Sequence, residues 1–207
     1  VRESRGAVIG TTLRVTMRED RIVSAPPSAD PPPIEPDAKD WTWVLDRPCP
    51  ECGFDAATVA REAVADLLRA NADSWAELLA GEPAALGTRP RPDVWSPLEY
   101  ACHVRDVFRI YDERLELMLT EDGPHYPNWD QDETALIDGY HRADPRAVAA
   151  DLVAAATLLA DRFGAVAGGQ WERTGYRSDG AAFTVESFAR YFIHDPVHHL
   201  HDVGAAP

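Results

Sequence analysis

The chain has 207 residues, 45% of them hydrophobic, with 20 Lys and Arg against 35 Asp and Glu for a formal net charge of −15. A surface that acidic repels phosphate backbones and anionic lipid, which argues against nucleic acid and membrane surfaces as partners; a small-molecule substrate is the partner expected. The length suits one ordinary domain with an appendage. No stretch approaches the roughly 18 apolar residues that a membrane span needs.

The first residues, VRESRGAVIGTTLRVTMRED, carry charges at both ends and no long apolar run, so they do not read as a secretory signal. The three cysteines form no disulfide framework, and a reduced, cytoplasmic protein is expected. Abundant Ala, Arg, Asp and Pro with little Lys point to GC-rich bacterial coding. Residues 11–15 have the composition of a short strand but no partner strand in view. Residues 24–40, SAPPSADPPPIEPDAKD, are rich in Pro, which fixes φ and removes backbone donors, so no regular element is expected there. The expected division is an irregular or disordered N-terminal tail over residues 1–40 and one domain over residues 41–207.

From Trp41 the pattern becomes helical. A first helix is expected to start after Asp55 and run to about Ala80, with Val59, Ala63, Leu67, Leu68 and Trp75 along one stripe. Gly81-Glu82-Pro83 closes it. Just before this helix, Cys49-Pro50-Glu51-Cys52-Gly53 resembles one knuckle of a zinc ribbon. A full ribbon needs a second knuckle, so a plain turn, a partial metal site and a redox pair all stay open.

The second helix has the clearest start. Ser96-Pro97-Leu98-Glu99 supplies an N-cap hydroxyl, a Pro at the first helical position and a Glu that completes a capping box, and the helix is expected to reach about Leu119. His103 lies two turns inside, on the same face as Tyr100, Val107 and Ile110. That face points inward, so the imidazole needs a partner for each ring nitrogen, with Asp106 or Asp195 as candidate acceptors. The neighbouring Cys102 points about 100° away and is expected in the core.

A long connection follows, with a short helix over residues 130–140; Asp130, Asp132 and Glu133 form an acidic cluster suited to capping or solvation. A third long helix starts at Asp144-Pro145 and carries Val148, Leu152, Ala155, Leu159 and Phe163. After a loop at residues 177–181, a fourth covers residues 184–203, with Phe183, Phe188, Tyr191 and Phe192 as an aromatic stripe. Four amphipathic helices and no strand pattern predict an all-α four-helix bundle, with room for a crossover in the second connection.

The last helix contains His194-Asp195-Pro196-Val197-His198-His199-Leu200-His201-Asp202. Residues four apart share a helix face, so His194 and His198 can aim two imidazoles at one ion. His125, His141, His199 and Tyr140 have no distinguishing spacing.

The run Trp95-Ser96-Pro97-Leu98-Glu99 leading to His103, followed by H-x-x-x-H in the final helix, resembles the DinB/YfiT-like superfamily over residues 54–203. The resemblance implies a four-helix bundle with a three-residue metal site, relatives among mycothiol-dependent maleylpyruvate isomerases and thiol-dependent S-transferases, and His103, His194 and His198 as ligands of a divalent ion (zinc, or alternatively nickel or iron). Two features depart from the pattern. The isomerase-like branch has a carboxylate ligand where this set is three imidazoles, and Pro196 is expected to kink the helix between two of them, leaving His201 as a reserve. The implied activity is activation of a low-molecular-weight thiol for attack on an electrophile. The alternatives are a metal-dependent hydrolase working through hydroxide, or a metal-binding stress or interaction protein without turnover. A bundle of this size can also self-associate as a homodimer.

Overall fold

The computed structural model describes Pro32, Ile34 and residues 39–205. The strand expected at residues 11–15 and nearly all of the expected tail lie outside the described residues. The helices are α1 (Val64–Leu79), α2 (Pro83–Leu86), α3 (Pro97–Thr120), α4 (Gln131–Ile137), α5 (Pro145–Ala165) and α6 (Val185–Asp202). None is long and apolar enough to cross a membrane.

The capping chemistry determines where the long helices begin. The Glu99 amide donates to the Ser96 hydroxyl at 3.3 Å and the Ser96 amide to the Glu99 carboxylate at 2.8 Å, closing the box that opens α3. Asp144 caps α5 ahead of Pro145, and Thr184 caps α6. The expected first helix starts later than its Asp55 signal. Asp55 caps only a single 3₁₀ turn, Ala56–Thr58, after which Val59 and Ala60 are extended. The Val59 carbonyl accepts from Arg190 on α6 at 3.0 Å, so a tertiary bond takes the acceptor that a continuous helix would have used.

The four long helices form the bundle. α5 and α6 each pack against both α1 and α3, which puts the first two long helices on a diagonal, as a crossover requires. Trp75, Phe108, Leu115, Leu152, Phe163, Phe188 and Phe192 fill the interior and are all nearly inaccessible to solvent. Pro196 sits inside α6, which nevertheless stays helical through it. The Asn71 side chain of α1 donates to the Pro196 carbonyl at 3.1 Å and ties the two helices there.

A small sheet was not expected. β1 (His125–Tyr126) pairs in parallel with β2 (Thr174–Arg177), which pairs antiparallel with β3 (Ala182–Thr184). The loop expected at residues 177–181 is the hairpin turn, with Gly180 at φ +97°. Strands of two to four residues are too short to show a two-residue period, so they left no signal. The sheet closes one end of the bundle over Met118 and Phe188.

Candidate metal centre

Four histidines gather around α6, and their ligand atoms fall into two groups. His103, Asp195 and His199 form one; Cys49, Cys52, His194 and His198 form the other; within each, one ligand atom per residue lies within 4.8 Å of those of the others. His103 thus stands with Asp195 and His199, and the expected pair His194 and His198 stands with the two cysteines of the CPECG segment. The two pairs alternate along one helix. Asp195 and His199 are four apart, as are His194 and His198, and one residue of offset turns the second pair about 100° from the first.

His103 is held on α3 at 1% exposure. Its ring stacks on Trp129 at 5.3 Å and 8°, lies 5.3 Å from Trp95, and meets the His199 ring edge-on at 5.0 Å. Its Nε2 faces the Asp195 carboxylate at 3.4 Å from Oδ2 and 3.3 Å from Oδ1. Oδ1 is buried and makes no hydrogen bond, although the side chain as a whole is only half-buried. Charge-assisted hydrogen bonds settle nearer about 2.7–2.9 Å. Two ligands each about 2.0–2.2 Å from one tetrahedral ion sit roughly 3.3–3.5 Å apart, so the spacing fits a shared cation better than a direct bond. His199 Nε2 lies 3.8 Å from Asp195 Oδ1, while its Nδ1 lies 2.8 Å from Asp202. Burial opposes the Asp195 charge, but the two facing imidazoles hold its carboxyl down at about 2.

The residues therefore fit a divalent ion. The donor set of two imidazoles and one carboxylate is the pattern of an open site, and its carboxylate supplies what three imidazoles lacked. Of the two acceptors expected for His103, Asp195 is the one in contact. Asp106 instead takes a bidentate pair from Arg105 at 2.8 and 2.7 Å and the Tyr140 hydroxyl at 2.6 Å. Cys102 is buried against the Tyr140 carbonyl, and burial pushes its thiol up to about 12. His201 is exposed and belongs to neither group. Asp130 caps α4 through the Glu133 amide at 2.9 Å.

Asp195 and His199 open onto a cleft of about 670 Å³, which Trp41, Tyr111, Arg114, Trp129, Arg177 and Tyr191 also line. Arg114 donates to the Pro127 carbonyl at 2.8 Å, and Arg177 bonds Asp179 and the Tyr191 hydroxyl. The sequence marks Asp195 only as an acceptor for His103 and gives His199 no distinguishing role, yet both stand with His103 in the structure. The signal was present, because D-x-x-x-H has the same helical spacing as the H-x-x-x-H beside it.

A family model described as the DinB superfamily matches residues 66–203, well over half of the chain. Among solved structures, the fold is similar to YfiT from Bacillus subtilis, with a TM-score of 0.63 and 19% sequence identity over 70% of this chain and 86% of that one. That protein is described as a probable metal-dependent hydrolase with an unusual four-helix bundle topology. No curated protein matches the chain.

Proposed function

The chain belongs to the DinB superfamily, and on that premise we propose that it is a metal-dependent enzyme in which His103, Asp195 and His199 hold one divalent ion at the cleft. The observation that carries this reading is the buried approach of His103 Nε2 to both Asp195 oxygens at 3.3–3.4 Å, too long for a strong hydrogen bond and right for two atoms on one cation. Nitrogen and oxygen donors suit zinc, with nickel or iron as alternatives. When bound, such an ion lowers the pKa of a thiol or water presented to it and so supplies a nucleophile near neutral pH.

The protein's own residues prepare the site. Asp202 fixes the orientation of the His199 ring through Nδ1, directing Nε2 toward Asp195. Trp95 and Trp129 clamp His103 and keep water from its faces. Lys39, Arg114 and Arg177 line the cleft together with Asp40, Asp130, Asp132, Asp179 and Asp195, a mixed polar surface for a small electrophile.

The reaction proposed is transfer of a low-molecular-weight thiol to such an electrophile. Hydrolysis is the second reading, favoured by the likeness to a protein described as a probable metal-dependent hydrolase. Metal-loaded protein given an electrophile with and without thiol, with thiol consumption followed, separates them. Product only with thiol supports transfer, and product without it supports hydrolysis. Retained metal with no product in either arm, across a panel of electrophiles, leaves a metal-binding stress or interaction protein and defeats the enzyme reading.

A further inference from the structure

Cys49, Cys52, His194 and His198 serve no purpose in that centre, yet they converge from two distant parts of the chain. We propose that they form a second, closed zinc site, structural in role, which pins the segment from Trp41 to Phe54 onto α6. The ligand set is two thiolates and two imidazoles, the composition of closed four-coordinate zinc sites, and its two negative charges neutralise the ion in a buried place.

The geometry supports it at each ligand. Cys49 is 1% exposed, and its Sγ lies 3.7 Å from His198 Nδ1. Bonds of about 2.3 Å to sulfur and 2.0–2.1 Å to nitrogen place two such atoms roughly 3.6 Å apart on a tetrahedral ion. The other nitrogen of His198 faces carboxylates, Glu51 at 3.4 Å and Asp202 at 3.6 Å, which is the outer partner that a ligating imidazole keeps. His194 Nε2 is buried with no hydrogen-bond partner, a loss that coordination would remove. The turn is preorganised as well. The Gly53 amide donates to the Cys49 carbonyl at 2.9 Å, the Cys49 amide to the Phe54 carbonyl at 2.7 Å, and Gly53 takes the left-handed φ of +76° that the turn requires. Trp41 and Phe54 pack on the His194 ring at 5.4 and 5.5 Å, keeping bulk water from one side.

Binding replaces two thiol protons, released to solvent, with two zinc–sulfur bonds, so no oxidant or reductant is needed. Because His194 and His198 alternate with Asp195 and His199, an ion on the first pair also fixes the rotation of α6 that presents the second pair to His103.

The test uses the full chain, reduced and loaded with excess zinc or cobalt. About two ions per chain are expected, falling to one in Cys52→Ser and, through loss of the other ion, to one in His103→Ala. The cobalt form should show sulfur-to-metal charge-transfer absorption in the near ultraviolet, kept in His103→Ala and lost in Cys52→Ser. A wild-type cobalt protein without that absorption overturns the proposal, and this readout needs no variant to fold. So does a folded Cys52→Ser protein that keeps both ions. A single ion that leaves with His103→Ala but not with Cys52→Ser overturns this site and spares the proposed function; the reverse pattern spares this site and overturns the other.

Discussion

His199 Nδ1 lies 2.8 Å from the Asp202 carboxylate, three residues further along α6, and this contact sets which ring nitrogen faces Asp195. Asp202 is thus a positioning residue. Asp202→Ala should weaken metal binding at the His103 centre by about 10–100-fold, the usual cost of losing an outer carboxylate partner. Competition against a chelator of known affinity measures it. An unchanged affinity would show that the contact does not orient the ring.

His103→Gln should abolish binding of the ion at the cleft while leaving the fold in place, because Gln approximates the imidazole volume and keeps polar contact with Asp195. Metal content and circular dichroism, measured together, check both halves. Full metal content in a folded variant would exclude His103 as a ligand.

Glu99 joins the helix cap of α3 to a buried ion pair. Arg89 approaches it at 2.5 Å; the Glu99 side chain is nearly inaccessible and that of Arg89 is partly exposed. Burial raises its pKa, but Arg89 and the Ser96 amide outweigh burial and hold the carboxyl below its usual value of 4.5. With a folded-state pKa below the unfolded one, its stabilisation is complete above the unfolded value and is lost as pH falls through the folded one. Glu99→Ala should cost about 2–4 kcal/mol at neutral pH, since it takes the carboxylate from Arg89, which keeps the Pro32 and Pro92 carbonyls, and removes the cap. The difference between wild type and variant should shrink on acidification below about pH 4, as urea unfolding across pH will show.

Gly175 on β2 has no room for a side chain. A Cβ there would lie 2.7 Å from Met118 Cγ and 3.0 Å from Tyr126 Cε1, both buried. Gly175→Ala should cost about 1–3 kcal/mol from overpacking, read as a lower unfolding midpoint. Wild-type stability would mean that Met118 moves aside freely.

The four long helices, the caps of α3 and α5 and the buried face of α3 are legible in the chain, because capping boxes, N1 prolines and apolar stripes are local signals that survive into the structure. The delayed start of α1 is not, since it depends on Arg190 reaching Val59 from a residue 131 positions away. The sheet is not either, because its strands are held by pairing across the chain and by little periodicity of their own.

At the centre, the sequence by itself determined that α6 presents candidate ligand side chains at four-residue spacing and that His103 points inward. Four-residue spacing puts two donors on one face of any helix, whichever pair is chosen. Which pair meets which partner only the tertiary structure decided. The rotation of α6 in the bundle carries Asp195 and His199 toward His103, and turns His194 and His198 toward the cysteine turn that folds back from residues 49–53.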